Sequence, residues 1–329
     1  MKKAFTLIEL LMVIALIAIV STLAVTKVGG IREAAARKVS LANQKAVERA
    51  VDAFLTNGGR LNRLDSLLYA GGAGAPIFSG AAGDFDFATT STVDSANGLY
   101  FGPTLDCDAA VRAQSNEGLT DELRGVLCLY GLSAAQAAAL HTRLGLQYVM
   151  AATAYADASA YAFPGAHYSR DRAYGDGTVP NASDGLDAND SFCVATLVTN
   201  QMTVAAVNPL SDMGRTIYQA CGLELMNTKN WGESYTESEV RAEIAALGGP
   251  IVAFGLGESA SIVGKADGGL ESAPYATFVP KQRYSRYILL FQLKAAGSGS
   301  ATVQLPTFVG VLDCCGATIR GAQHVTKRM

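Results

Sequence analysis

The feature that most constrains this chain is an apolar stretch of 22 residues, 5–26, in which Glu9 is the only ionisable side chain. At about 1.5 Å per residue, a helix of this length crosses the hydrocarbon core of a bilayer. Only four residues, Met-Lys-Lys-Ala, precede it. A secretory signal peptide would have a shorter apolar core, followed by a cleavage site and a polar start. The sequence therefore predicts a transmembrane helical segment over residues 5–28.

The apolar stretch runs directly into a second helical pattern. Apolar residues recur there at steps of three and four, which places them in a stripe along one helix face: Ile31, Ala35, Val39, Ala42, Ala46, Ala50 and Phe54. The sequence Asn57-Gly58-Gly59 predicts a left-handed stop. We therefore expect one helix over residues 5–56, about 78 Å long, with a transmembrane half at 5–28 and an outer half at 29–56.

Glu9 is the exception within the apolar stretch, because a carboxylate in lipid is costly unless a cationic group meets it. Two interpretations are open. Glu9 lies close enough to the lipid headgroups to stay hydrated, or it meets a buried positive group. No residue from 10 to 26 is basic, so the second interpretation needs another chain. Cleavage between Ala4 and Phe5 would free an amine on a neighbouring copy that fits this role.

These residues resemble the N-terminal signal of type IV pilins and type II secretion pseudopilins. The resemblance rests on Lys2-Lys3-Ala4 followed by FTLIELL, with Glu9 four positions after Phe5. The resemblance covers about residues 1–60 and says little about the rest of the chain. Ala4 stands where the family usually has Gly.

The resemblance implies how the N-terminus is processed and assembled. Prepilin peptidase would cut between Ala4 and Phe5, remove the leader 1–4 and methylate the new amine of Phe5. Glu9 would neutralise this amine across subunits and set the axial register of a helical filament. The partners implied are copies of this chain, other pilin-like subunits, the peptidase and an inner-membrane assembly platform.

The resemblance also implies a location. A single-pass subunit would sit in the bacterial inner membrane with its head, residues 57–329, in the periplasm, and then enter a filament in the periplasm or on the cell surface. Whether this filament serves secretion, adhesion, motility or DNA uptake stays open. The alternative function is a membrane-anchored binding module, an adhesin or a substrate-capture head, that uses the pilin-type leader for export.

An enzyme is not predicted, because no catalytic constellation is recognisable. The three histidines lie in unrelated contexts, and neither a nucleophile elbow nor a phosphate-binding loop occurs. One string, Gly255-x-Gly257-x-x-Ala260, resembles a dinucleotide fingerprint. However, glycines at 264, 268 and 269 leave no room for the helix that this motif requires. We therefore interpret the string as a turn between strands.

Charge is distributed unevenly along the chain. Residues 1–60 carry 9 Lys/Arg and 4 Asp/Glu, whereas residues 61–329 carry 17 and 25. A basic stem of net charge +5 therefore precedes an acidic body of net charge −8. The acidic body argues against nucleic-acid binding.

A polar stretch at 164–191 concentrates carboxylates, the ligands that Ca²⁺ prefers. The spacing does not fit an EF-hand, and a solvated acidic loop is the alternative. Several members of the pilin and pseudopilin family that the N-terminus resembles bind Ca²⁺ in head loops, and this resemblance adds support to a calcium site at Asp184, Asp187 and Asp190. No other cofactor is expected.

Six cysteines form an even set in a body expected to face an oxidising compartment, which makes disulfides plausible. The pairing among them is not determined by the sequence. The six are Cys107, Cys128, Cys193, Cys221, Cys314 and Cys315.

The sequence of residues 57–329 predicts an α+β fold. Helices are predicted at 120–130, at 133–144 with a Ser133-x-x-Gln136 capping box, and at 236–247, while 147–161 is either helix or strand. Strands are predicted at 76–78, 84–88, 251–256, 275–279, 284–294 and 302–312. The expected architecture is a long N-terminal helix packed on a head with a C-terminal antiparallel sheet and a helical insertion over 120–161.

Overall fold

Helix α1 occupies residues 38–56, and a β-sheet with further helices follows it. The computed structural model describes residues 11–12, 14, 35, 38–69, 85–86, 126–154, 167–169, 173–174, 191–200, 202–209, 211–220, 237–246, 248–257, 260–264, 269–274, 276, 286–294, 306–313 and 316–319. At the end of α1, Gly58 has a φ of 78° and the amide of Gly59 donates to the carbonyl of Phe54 at 2.8 Å. The predicted left-handed stop is therefore confirmed.

The strands and helices after α1 alternate irregularly. The strands are β1 (Arg63–Tyr69), β2 (Phe85–Asp86), β3 (Leu127–Gly131), β4 (Tyr148–Ala154), β5 (His167–Ser169), β6 (Ala173–Tyr174), β7 (Ser191–Leu197), β8 (Thr203–Val207), β9 (Ile251–Gly255), β10 (Ile288–Gln292) and β11 (Thr307–Leu312). The helices are α2 (Ala134–Ala139), which continues as a π-helical turn (Leu140–Leu144), α3 (Asp212–Ala220) and α4 (Glu237–Ala246).

The described strands form one sheet that branches at β9. On one edge, β10 pairs with all five residues of β9, and β11 pairs with β10. Two strands share the other edge of β9. Strand β8 pairs with Val252 and Ala253, and β1 pairs with Gly255. One branch continues from β8 to β3 and β2, and the other from β1 to β4, β7, β5 and β6. The β1–β4 pair is parallel and the remaining pairs are antiparallel.

The central strands are buried on both faces. In β9, Val252 and Phe254 belong to the apolar cluster that also contains residues of α1, α2 and α4. Ile251 and Ala253 belong to a second cluster, which contains Tyr218 of α3. Helices therefore cover both faces of the sheet, which explains why its strands read as continuous apolar runs instead of alternating patterns.

Helix α2 begins with the capping box that the sequence predicts. The amide of Gln136 donates to Ser133 Oγ at 3.3 Å, and the amide of Ser133 donates to Gln136 Oε1 at 3.0 Å. Gln136 Nε2 also donates to the hydroxyl of Tyr130 at 2.7 Å. Burial raises the pKa of Tyr130 above its ordinary value, and the hydrogen bond with Gln136 partly offsets this rise. The helical turns end at Gly145, so the prediction for 133–144 is confirmed.

The helix predicted at 120–130 is wrong where the structure describes it. Residues Leu127–Gly131 form strand β3, whose five residues are all buried. They pair with β8 along its whole length, from Leu127 opposite Val207 to Gly131 opposite Thr203. Burial on both sides and a complete ladder outweigh local helix preference here. The segment 147–161, left open as helix or strand, forms a strand at Tyr148–Ala154, so the described part of the expected helical insertion contains helix and strand in about equal amounts.

Other predictions match the described elements. Strands β9, β10 and β11 fall within three predicted runs, β2 falls within 84–88, and α4 falls within 236–247. The sheet is nevertheless not confined to the C-terminal third, since β1 and β4 add a parallel pair to it. The prediction of an α+β head is confirmed, with a mixed sheet in place of an antiparallel one. The predicted strand at 76–78 lies outside the described residues.

Among the residues that the structure describes, no helix is both long enough and apolar enough to cross a bilayer. The predicted transmembrane segment 5–28 falls outside that part of the chain, except for Leu11, Met12 and Ile14, which are helical.

Candidate functional site

The residues predicted to be processed or to bind metal lie outside the described part of the chain. These are Ala4, Phe5 and Glu9 at the N-terminus and Asp184, Asp187 and Asp190 in the acidic stretch. Within the described ranges, no group of three or more His, Cys, Asp or Glu side chains is placed to hold a metal ion. The calcium site therefore stays a prediction.

One face of α1 is buried in the head. It consists of Ser40, Gln44, Val47, Val51 and Phe54, at alternating steps of four and three. Val47 and Val51 have no exposed surface. They belong to the same apolar cluster as β9 and β10. This face fixes the outer half of the stem on the sheet.

A buried amide locks this face in position. The Gln44 side chain is 1% exposed, and its Nε2 donates to the carbonyl of Val311 at 2.7 Å and to that of Ala317 at 2.9 Å. Val311 lies in β11, and Ala317 lies in the segment that returns beside it through the Leu312–Thr318 bridge. The amide therefore ties α1 to two adjacent backbone segments at once.

A second polar contact lies one turn closer to the N-terminus. The hydroxyl of Tyr287, at the start of β10, donates to the carbonyl of Ser40 at 2.7 Å. Tyr287 is completely buried. The stem helix therefore supplies an acceptor for this buried hydroxyl.

The opposite face of α1 is exposed and apolar. It contains most of the stripe that the sequence predicts: Ala35, Val39, Ala42 and Ala46, with Ala53 one turn beyond Arg49. Val39 is 59% exposed. Phe54 does not belong to this face, since it is buried with Val51, and Ala50 is half-buried. The predicted stripe thus mixes two faces, and its larger part points away from the head. We call Ala35, Val39, Ala42, Ala46 and Ala53 the outer stripe.

A cleft of about 410 Å³ runs along one flank of α1. Four charged side chains of the helix form one wall, Lys45, Glu48, Arg49 and Asp52, and Phe308, Val309 and Ile319 form the other side. A Cβ placed on Gly310 would lie 3.7 Å from Glu48 Oε1. Glu48 therefore faces strand β11 at the boundary between stem and head.

The described residues of the glycine string, 255–257 and 260, lie at and after the end of strand β9 and are joined as in a turn, as interpreted from the sequence. The amide of Ala260 donates to the carbonyl of Gly257, and the amide of Ser261 donates to that of Arg63. The buried carboxylate of Asp65 lies so close to Gly257 that a Cβ there would overlap its Oδ2. The Asp65 side chain occupies the space beside Gly257, so the backbone there has no room for the close approach of a phosphate that a dinucleotide site requires.

The cysteine predictions are tested only at Cys128. Its thiol is buried in the sheet and donates to the carbonyl of Ala206 at 3.6 Å. Cys193 lies in β7, and the other four positions lie outside the described residues. The pairing of the remaining cysteines stays a prediction.

Gln44 is not predicted from the sequence, because its polar side chain interrupts the apolar pattern. A usable signal was present in the spacing. Ser40, Gln44, Val47, Val51 and Phe54 form a series at steps of four and three, parallel to the outer stripe. Two such series on one helix indicate that the helix has two packing faces.

The substitution Gln44→Leu is expected to lower the free energy of unfolding by about 1 to 3 kcal/mol, because the buried carbonyl of Val311 and the part-buried carbonyl of Ala317 lose their donor. Amides near Gln44 should also exchange with deuterium faster. Thermal unfolding and hydrogen exchange of the purified full chain measure these effects. Asn43→Leu, one position along the same helix, is the matched control and should leave both unchanged within about 0.5 kcal/mol. Equal behaviour of the two variants would contradict the role of Gln44.

Comparison with known proteins gives one match. Residues 1–25 match the family described as the prokaryotic N-terminal methylation motif. Neither the curated proteins nor the solved structures contain a significant match to the chain. The match covers the leader, Phe5 and Glu9, on which the resemblance was based. The chain therefore carries a prepilin-type signal of the kind found in type IV pilins and pseudopilins.

Proposed function

We propose that this chain is a structural subunit of a type IV pilus-like or type II secretion pseudopilus filament. The observation that carries the proposal is the prepilin-type signal at residues 1–25, which precedes helix α1 with its exposed apolar stripe. Prepilin peptidase cuts between Ala4 and Phe5 and methylates the Phe5 amine. The subunit waits in the inner membrane and then joins a filament through its N-terminal helix.

The outer stripe supports helix-to-helix assembly. An apolar face that a single chain leaves in water marks an interaction surface. Burying the exposed part of Val39 alone contributes about 1 kcal/mol, and the small alanines allow close approach of a second helix. In the N-terminal segment, Leu11, Met12 and Ile14 are helical and 59% to 68% exposed. Lipid covers such side chains before assembly, and other stems cover them afterwards.

Glu9 fits this function through its charge. Its carboxylate lies within an apolar stretch, where an unpaired charge is costly. The amine of Phe5 on a neighbouring subunit supplies the counter-charge, and the pair forms only when two stems lie in the correct axial register. The partners in this function are copies of the chain, other pilin-like subunits and the inner-membrane assembly platform.

Processing is tested by N-terminal mass spectrometry of the mature protein. The chain is expected to begin at N-methylated Phe5. The variant Ala4→Gly, which restores the residue usual in the family, is the control and should begin at the same position. Retention of Met1, or an unmethylated start at another residue, would contradict prepilin processing.

The substitution Glu9→Ala is expected to abolish incorporation into filaments, because the Phe5 amine then has no counter-charge at the correct register. The variant should still insert into the membrane, as measured by cell fractionation. The amount of chain in sheared filaments, followed by immunoblot and electron microscopy, is the readout. Normal incorporation would instead favour the alternative of a membrane-anchored binding module.

The substitution Val39→Glu is expected to reduce filament yield at least tenfold, since it places a charge in the centre of the outer stripe. The fold of the head should not change, because the side chain is exposed. Thr56→Glu introduces the same charge at an exposed position outside the stripe and serves as the control. Equal filament yields for both variants would show that the outer stripe is not a packing face.

A further inference from the structure

The contact between the stem helix and the head begins at Ser40. Ala35, Lys38 and Val39 precede this residue, and all three are exposed. Ser40 is 6% exposed, and Gln44, one turn further along α1, is 1% exposed. The first turn of α1 that the head buries therefore carries polar groups, and the apolar residues of the buried face follow it.

Two residues place hydrogen bonds at this entry into the head. The hydroxyl of Tyr287 donates to the carbonyl of Ser40 at 2.7 Å. Gln44 Nε2 donates to the carbonyls of Val311 and Ala317 at 2.7 and 2.9 Å. Residues 40 and 44 lie about 6 Å apart along the helix axis, so these hydrogen bonds hold α1 at two heights. We call Gln44 and Tyr287 the polar clamp.

The polar clamp restricts the rotation of α1 more strictly than the apolar contacts do. At a distance of about 5 Å from the helix axis, a rotation of about 20° displaces a side-chain atom by roughly 2 Å. Hydrogen bonds of normal length do not survive such a displacement. Apolar contacts are not directional, so Val47, Val51 and Phe54 stay buried after a rotation of this size. Without the polar clamp, α1 can therefore take a range of angles against the sheet.

The angle of α1 in the head decides where the outer stripe points. The stripe lies about 140° from the buried face around the helix axis, so a rotation of α1 relative to the head turns the stripe by the same angle. We propose that Gln44 and Tyr287 are positioning residues for filament assembly, because they fix the angle between the outer stripe and the head. Packed stems then carry all heads in one orientation. The inference rests on the proposed filament function and adds the residues that orient the head.

Removal of the polar clamp in the full-length chain tests this role. Gln44→Met combined with Tyr287→Phe removes the three hydrogen bonds and keeps side chains of similar size. Filament yield should stay within about twofold of the wild type, because the apolar contacts remain. In cryo-electron microscopy, the averaged density of the heads relative to the stems should fall to less than about half, since the heads take a range of angles. Head density equal to that of the wild type would overturn the proposal.

A second buried pair of the same two residue types provides the matched control. Gln136 Nε2 donates to the hydroxyl of Tyr130 at 2.7 Å, between α2 and β3 of the head. The control combines Gln136→Met with Tyr130→Phe, which is the same chemical change. Its filaments should keep the head density of the wild type, although its thermal stability should also fall. An equal loss of head order in both variants would show a general loosening of the head and would contradict a positioning role.

Hydrogen exchange of the purified full-length chain tests the polar clamp without filaments. Amides of residues 40–47 should exchange at least about tenfold faster when the clamp is removed, and at the wild-type rate in the control. Ser40→Ala keeps the main-chain acceptor and should behave like the wild type. If the double variant does not fold, Tyr287→Phe alone should still speed this exchange, and wild-type rates in it would overturn the proposal. A wild-type chain that forms no filaments would instead contradict the proposed function.

Discussion

The packing of one face of α1 into the head is the contact on which the described structure depends. Burial of Val47, Val51 and Phe54 stabilises the pair of stem and sheet by roughly 5 to 9 kcal/mol before the entropy cost of ordering. Apolar contacts alone would allow the helix to slide. Gln44 prevents this, because a shift of one residue moves its amide by about 1.5 Å along the axis and breaks both hydrogen bonds. The apolar side chains give affinity and the amide gives register.

Because only one face of α1 binds the head, the helix can carry a second series of residues with the same helical spacing on another face. The buried series 40, 44, 47, 51, 54 and the outer stripe both follow steps of three and four, and they lie about 140° apart around the axis. Such a helix packs on the head through one face and leaves the outer stripe exposed. Lys38, Lys45 and Arg49 lie on one side of that stripe, and the uncharged Asn43 and Ala50 lie on the other, which makes the exposed surface of the stem asymmetric.

Much of the molecule could be predicted where the signal is local. The prepilin signal, the capping box at Ser133 and the stop at Gly58 each occupy a few adjacent residues. Features that depend on contacts between distant parts of the chain could not be predicted. The apolar residues of β3 are compatible with a helix, and only their pairing with β8 makes them a strand. The parallel pairing of β1 with β4 joins segments about 80 residues apart. The sequence also could not decide which of two apolar series faces the head, because that depends on where Val311 and Ala317 place their carbonyls.

The branching of the sheet at β9 separates the strands that hold α1 from the distal strands, which can change without affecting that contact. The hydrogen bonds that hold α1 come from Tyr287, Val311 and Ala317, all on the β10 and β11 side of the junction. The two branches extend from the opposite edge and end at β2 and β6. Insertions at those distal strands can therefore enlarge or reshape the head without moving the groove that receives the stem. The same contact between α1 and the sheet can in this way support heads of different size and surface.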